Sequence, residues 1–125
     1  MVDLNALQAQ FHTCMPLFIA LGDEVRLTII EALTQATFGP VDDGAGPENS
    51  PGIRGMNVIG ITQKTNLSRP AVSHHLKILK DAGLIGVQKE GTSNYYYMTI
   101  QSSTRQLMGL GSMLQEFLKE NSPGI

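Results

Sequence analysis

The stretch from Asn66 to Ile85, NLSRPAVSHHLKILKDAGLI, leaves the chain around it little freedom. Ser68 can accept from the first free amides of a helix, and Pro70 sits in the first turn, where a missing N–H costs little. Gly83 is placed to stop that helix after about 14 residues. A step of about 100° per residue from Val72 brings Leu76, Leu79 and Gly83 within about 40° of it, which makes one buried stripe. The opposite side carries Pro70, His74, Lys77 and Asp81, flanked by Ser73 and Lys80, with Arg69 exposed in the first turn. His75 falls beside the stripe. The adjacent histidines therefore diverge and do not form a chelating pair, which on a helix needs a spacing of three or four. His74 is assigned to the outward, donor-bearing face. His75 is assigned to packing and hydrogen bonding within its own domain.

The neighbouring segments complete a supersecondary unit. MNVIGITQKTN predicts a short helix, joined to the first by a turn of three or four residues. LIGVQKEGTSNYYYMTI predicts a β-hairpin in which Leu84, Ile85 and Val87 lead in and residues 95–100 lead out. KEGTSN makes its turn, with Gly91 able to take positive φ. Helix, turn, helix and hairpin, in that order, predict a winged helix-turn-helix, mainly α with a small β-hairpin.

Residues 3–36 read as helical. Asp3 caps a helix with Leu4, Leu7 and Phe11 at helical spacing, Pro16 interrupts or restarts it, and MPLFIALG is a short buried helix ended by Gly22. Asp23 then caps DEVRLTIIEALTQA, with Val25, Ile29, Ala32 and Leu33 as its apolar stripe and Leu27 and Ile30 at the edges. Residues 38–55 hold five glycines and three prolines without apolar period, and read as a surface loop insertion rather than a functional lid. TRQLMGLGSMLQEFLKE predicts a final amphipathic helix weakened by Gly109 and Gly111. It is more apolar than one narrow face requires, as is common where a terminal helix packs on another subunit.

Composition narrows the function classes. With 42% hydrophobic and 16% charged residues, the 125-residue chain can build one packed domain over 1–125. It has neither an apolar run long enough for a bilayer nor a signal-peptide pattern, so a soluble cytoplasmic protein without a membrane partner is expected. Cys14 is the only cysteine and cannot form an internal disulfide. Net charge is −2, unevenly spread. Residues 54–89 hold Arg54, Lys64, Arg69, Lys77, Lys80 and Lys89 against Asp81, a net +5, and the remainder nets −7. Such a segment is either a footprint for a phosphate backbone or a solvated charged face, and charge alone does not separate the two.

Enzyme chemistry lacks its parts. There are no paired carboxylates in an apolar setting, no Gly-rich phosphate loop before a basic residue and no Ser/His/Asp set. His12 and Cys14 lie two apart and diverge on a helix, so Cys14 reads as buried and inert.

The segments FIALGDEVRLTIIEAL, TNLSRPAVSHHLKILKDAGLIGVQKEG and YYYM resemble, in order, the arsenic-repressor (ArsR/SmtB) family of winged-helix regulators, over about residues 17–98 with the 38–55 loop as an interruption. The resemblance implies a homodimer on double-stranded DNA. It implies base and phosphate contacts from Ser68, Arg69, Ala71, Ser73, His74 and Lys77 on the reading helix, with Lys64 added to the DNA-binding set. Wing contacts fall on Lys89, Thr92, Ser93 and Asn94, without the arginines common in relatives. The implied dimer interface is Leu4, Leu7 and Phe11 on the first helix with Leu107, Leu110, Met113, Leu114, Phe117 and Leu118 on the last. The family's metal sites are not matched. Where relatives carry a pattern like E-L-C-V-C-D-L, this chain has GMNVIGI, so Asn57 and Ile59 stand at the thiolate positions and Gly60 at the acid. Residues 102–120 hold no His or Asp, only Glu116 and Glu120. No metal or other cofactor is expected.

The resulting expectation is a sequence-specific transcriptional regulator, a repressor on a palindromic operator, answering to a small molecule, a redox change or a partner protein. The alternative is a winged-helix protein-interaction module. A ligand pocket is expected between the apolar dimer helices.

Overall fold

Short polar side chains divide the chain into helices. The structure is a computed structural model that describes residues 3–40 and 54–121. Asp3 Oδ1 accepts from the Ala6 amide at 2.6 Å and starts α1 (Leu4–Thr13). α2 (Met15–Leu21) follows at once, with Pro16 in its first turn. Asp23 accepts from the Val25 and Arg26 amides at 2.8 and 3.1 Å and starts α3 (Glu24–Phe38). Asn57 caps α4 (Val58–Thr65) by accepting from Gly60 N, and Ser68 caps α5 (Arg69–Asp81) by accepting from Ala71 N. After α5 come β1 (Ile85–Glu90), β2 (Ser93–Met98) and α6 (Gln101–Asn121).

The hydrophobic core lies where α2, α3, α4 and α5 meet the base of the hairpin. Leu17, Ile29, Leu33, Ile61, Val72, Leu76 and Leu79 are its deepest residues, closed off by Leu84, Ile85 and Met98. The stripe expected on α5 is the buried one: Val72, Leu76 and Leu79 are inside, and Arg69, Ser73, His74, Lys77 and Lys80 are exposed. A smaller cluster of Leu7, Cys14 and Leu110, with Met113, Leu114 and Phe117 against it, joins α1 to α6.

The β-strands pair antiparallel from Ile85 opposite Met98 to Glu90 opposite Ser93. The turn is tighter than KEGTSN suggested, since only Gly91 and Thr92 lie outside the ladder. Gly91 has φ +61°, and a positive φ at the first of two turn residues suits a type II′ connection and the right-handed twist of the strands. Gly83, at φ +78°, ends α5: its N–H donates to Lys80 O, and Leu84 N–H reaches back to Leu79 O.

Other boundaries also moved. The loop expected over 38–55 begins one residue later than expected, and its residues 41–53 lie outside the described residues. Phe38 is still helical, while Arg54 donates to Gly39 O and Met56 pairs with Tyr96 as an isolated bridge on the hairpin. That bridge delays α4 to Val58, because Met56 exchanges backbone hydrogen bonds with Tyr96 instead of entering the helix. β2 ends at Met98 rather than at Ile100, whose carbonyl accepts from Thr104 N in the first turn of α6.

Ile29 is wholly buried between helices. Ile29→Ala is expected to lower unfolding free energy by about 2–5 kcal/mol in urea titration. A loss below about 1 kcal/mol would place this side chain outside the cooperative core.

Candidate nucleic-acid interface

The turn between α4 and α5 fixes the pose of α5. Asn66 takes the left-handed conformation at φ 57° and ends α4, while Leu67 tucks against the core. Ser68 then opens α5 with its donor-bearing side outward. Ser73, His74 and Lys77 are exposed along that side, Arg69 stands at its start, and Ala71 is half-buried. Lys77 Nζ lies 3.0 Å from Asp81 Oδ2 one turn on. Both side chains are largely exposed, so the pair adds at most about 1 kcal/mol and Lys77 can readily exchange Asp81 for another anion.

The wing meets α5 across a small concave surface. A cleft of about 180 Å³ is lined by Asn57, Val58 and Ile59 at the start of α4, by Arg69, and by Thr92, Ser93 and Asn94 at the wing tip. A second, of about 250 Å³, is lined by Ser73, Leu76, Lys77, Lys80, Asp81 and Tyr96. The fold therefore brings Arg69 to three of the four expected wing residues, and Ser73 to Lys77. Lys64, in the last turn of α4, and Lys89, opposite Asn94, line neither cleft. Spacing within one element gave no access to the part played by Asn57, Val58, Ile59 and Tyr96, which reach these surfaces only through tertiary packing.

Behind this face lies a residue missed in the sequence. Arg26 of α3 is buried; its Nε donates to Ala20 O at 2.8 Å and its Nη2 to Ile19 O at 2.9 Å. Its Nη1 lies 3.3 Å from His75 Nδ1 and 3.8 Å from Asp23 Oδ2. His75 is half-buried and turned into its own domain, as expected, although its partner is 49 residues away. The signal for Arg26 was available: it lies three residues before Ile29 and seven before Leu33, on the buried stripe.

The residues expected at a dimer interface divide. Leu4, Phe11, Leu107 and Leu118 are exposed, and Met113, Leu114 and Phe117 are half-buried. Leu7 and Leu110 are each only 6% exposed within a single chain, where they fill the α1–α6 seam. Met15, Phe18, Ile19 and Met108 add exposed apolar surface that the sequence reading did not assign.

His12 is exposed and Cys14 is fully buried, with Sγ 3.4 Å from Gln106 O and 3.8 Å from Gln10 Nε2. Among the described residues, no three His, Cys, Asp or Glu side chains gather where an ion could bind. Among the same residues, no helix is long and apolar enough to cross a membrane.

The sequence profile described as "Bacterial regulatory protein, arsR family" matches residues 54–87, which span α4, α5 and the start of the wing. A Methanocaldococcus jannaschii protein described as an uncharacterized HTH-type transcriptional regulator is 34% identical over 89 residues, 71% of this chain and 81% of the relative. Among solved structures, an ArsR-family transcriptional regulator superposes with TM-score 0.63 at 17% identity, covering 95% of this chain and 97% of its own. Reduced HlyU from Vibrio cholerae gives TM-score 0.60 at 18% identity over 96% and 100% of the two chains. A Mycobacterium bovis domain, described as a homodimeric winged helix-turn-helix and possible ArsR-family regulator, gives 0.56 at 22% identity over 97% and 93%.

Amide hydrogen bonds from Arg26 and Val25, and the Arg26 charge, hold the Asp23 carboxyl below its usual value near 3.8 against some opposing burial. A carboxylate favoured in the folded state stabilises above its unfolded pKa, and that stabilisation is lost as pH falls through the folded value. Asp23→Asn is expected to flatten the stability–pH profile below about pH 4, measured by thermal unfolding; an unchanged acid limb would assign it to other carboxylates.

Proposed function

Because the chain belongs to the ArsR family of DNA-binding transcriptional regulators, which are not enzymes, we propose that it is a repressor that binds a palindromic operator as a homodimer. The observation that carries this reading is the exposed donor face of α5 beside the wing tip, backed by the buried stripe of Val72, Leu76 and Leu79. In this reading α5 enters the major groove. Arg69, Ser73, His74 and Lys77 meet base edges and phosphates, and Ser68 and Ala71 lie at the helix start against the backbone. Lys64, Lys89, Thr92, Ser93 and Asn94 meet flanking phosphates. The two-fold copy places a second α5 about one helical turn away, which makes the operator palindromic.

The exposed apolar side chains of α1, α2 and α6 support the homodimer, since apolar surface on these adjoining helices is costly to leave in water. One winged-helix unit with dimerisation helices at both ends accounts for the described residues. An effector has a candidate seat away from the dimer helices' apolar seam. A cavity of about 640 Å³ between the end of α3 and the start of α6 is lined by Phe38, Met98, Ile100 and Arg105, among others, and suits a small molecule with an apolar body.

Operator affinity is expected to fall steeply with salt. Arg69→Ala and His74→Ala are each expected to cost about 1–3 kcal/mol of specific binding in an anisotropy titration. Parent affinity in both variants would reject this reading face. Leu107→Glu combined with Leu118→Glu is expected to shift the sedimentation mass from dimer to monomer; a dimer that persists would move the interface elsewhere.

A further inference from the structure

Arg26 is the one buried charged side chain among the described residues, and the proposed function leaves it without a role. Its bonds to Ala20 O and to Ile19 O, which also accepts from the Gly22 amide, place a cation at the C-terminal turn of α2, where the helix dipole favours one. The remaining arm points at His75 Nδ1, 3.3 Å away. A guanidinium has donors only. His75 Nδ1 must therefore accept, which requires a neutral ring with its proton on Nε2. An imidazolium would set N–H against N–H and cation against cation.

The position of His75 gives that requirement reach. It is bonded in sequence to His74, and the two rings meet edge to face with centroids 5.5 Å apart. Its helix also carries Arg69, Ser73 and Lys77. Arg26 thus links α2, α3 and the helix with the exposed donor face through one planar group.

The charged groups around the ring do not all act in one direction. From α3, Arg26 opposes a second cation, and Asp23 favours one. Asp23 Oδ1, however, accepts two backbone amides, and its Oδ2 lies 3.8 Å from Arg26. α2 presents no titratable side chain, only the carbonyls that Arg26 occupies. On α5, a protonated His74 would oppose a second charge beside it. Lys64 of α4 and Lys89 and Glu90 of β1 make no hydrogen bond or ion pair with the ring.

We propose that Arg26 and His75 are positioning residues for DNA recognition by α5, joined only while His75 is neutral, so that acidification loosens the reading helix and lowers operator affinity. The proposal rests on the reading of α5 as the DNA-reading helix. The sign follows from the contact: a guanidinium can donate to a neutral imidazole nitrogen and not to a protonated one.

The test measures operator affinity of the full chain from about pH 8 to about pH 5.5 at constant ionic strength. The parent is expected to lose about tenfold, the size of one lost charge-assisted hydrogen bond. His75→Asn offers Arg26 an amide oxygen that does not titrate, and is expected to hold its affinity within about threefold across the range. His74→Asn is expected to bind more weakly at every pH and keep the parent's fall. Arg26→Lys, which keeps the charge but not the fork, is expected to bind weakly with a flat profile; thermal midpoints verify that each variant is folded. A fall that survives His75→Asn, or a flat parent profile, overturns the proposal. A second readout needs no DNA: imidazole ¹⁵N shifts at about pH 8 are expected to show His75 protonated on Nε2 alone. A proton on Nδ1 overturns the contact itself. If the parent binds no DNA specifically at any pH, the gating of affinity fails together with the operator reading, and the ¹⁵N result separates that failure from loss of the contact.

Discussion

A guanidinium buried among backbone carbonyls holds the helical half of this fold in register. α2 is only seven residues long and could not persist alone. Its last carbonyls face Arg26 at the point where the chain turns into α3. Arg26 answers two of them and offers its third arm to α5. Removing one partner from such a network leaves a desolvated polar group, which costs more than the bond itself contributes. The arrangement is therefore close to all-or-none, and the orientation of the exposed α5 face is tied to it.

The molecule separates its tasks by charge and by position in the chain. Basic side chains concentrate between Arg54 and Lys89, and the acidic excess lies outside that segment. In the proposed reading, repulsion between the body and a polyanion helps to orient an approaching duplex toward α5 and the wing. Apolar exposure collects instead on α1, α2 and α6, around a minor core that closes α1 on α6 within one chain. Leu7 and Leu110 brace that seam and leave Leu4, Phe11, Leu107 and Leu118 on the outside.

Local chemistry made most of the architecture legible. Asp3, Asp23 and Ser68 each cap the helix that their side-chain chemistry predicts, and the buried stripe of α5 follows from its spacing. What escaped depended on partners distant in sequence. Met56 reads as the start of a helix until Tyr96 of the hairpin competes for its backbone. Arg26 went unassigned because the carbonyls of α2 that hold it are set by tertiary packing, although its register on the α3 stripe marked it. The cleft at the wing tip draws on α4, α5 and the hairpin, and the second on α5 and β2, so no single periodic pattern encodes them. The residue types and facing of the candidate interface were readable; its concavity was not.

The hydrogen bond from Arg54 to Gly39 O draws the two ends of the glycine- and proline-rich insertion together, and the Met56–Tyr96 pairing fixes the second end on the sheet. For the rest of the fold this junction behaves as a closed neck. Closing a longer loop across a fixed neck costs only slowly increasing entropy, about 0.6 kcal/mol per doubling of length. Sequence between Pro40 and Ile53 can therefore drift, grow or be replaced by a foreign module while the helix on one side and the wing on the other keep their places. A label or fused domain placed between these flanks would join the fold through two ends already held by Gly39 and Tyr96.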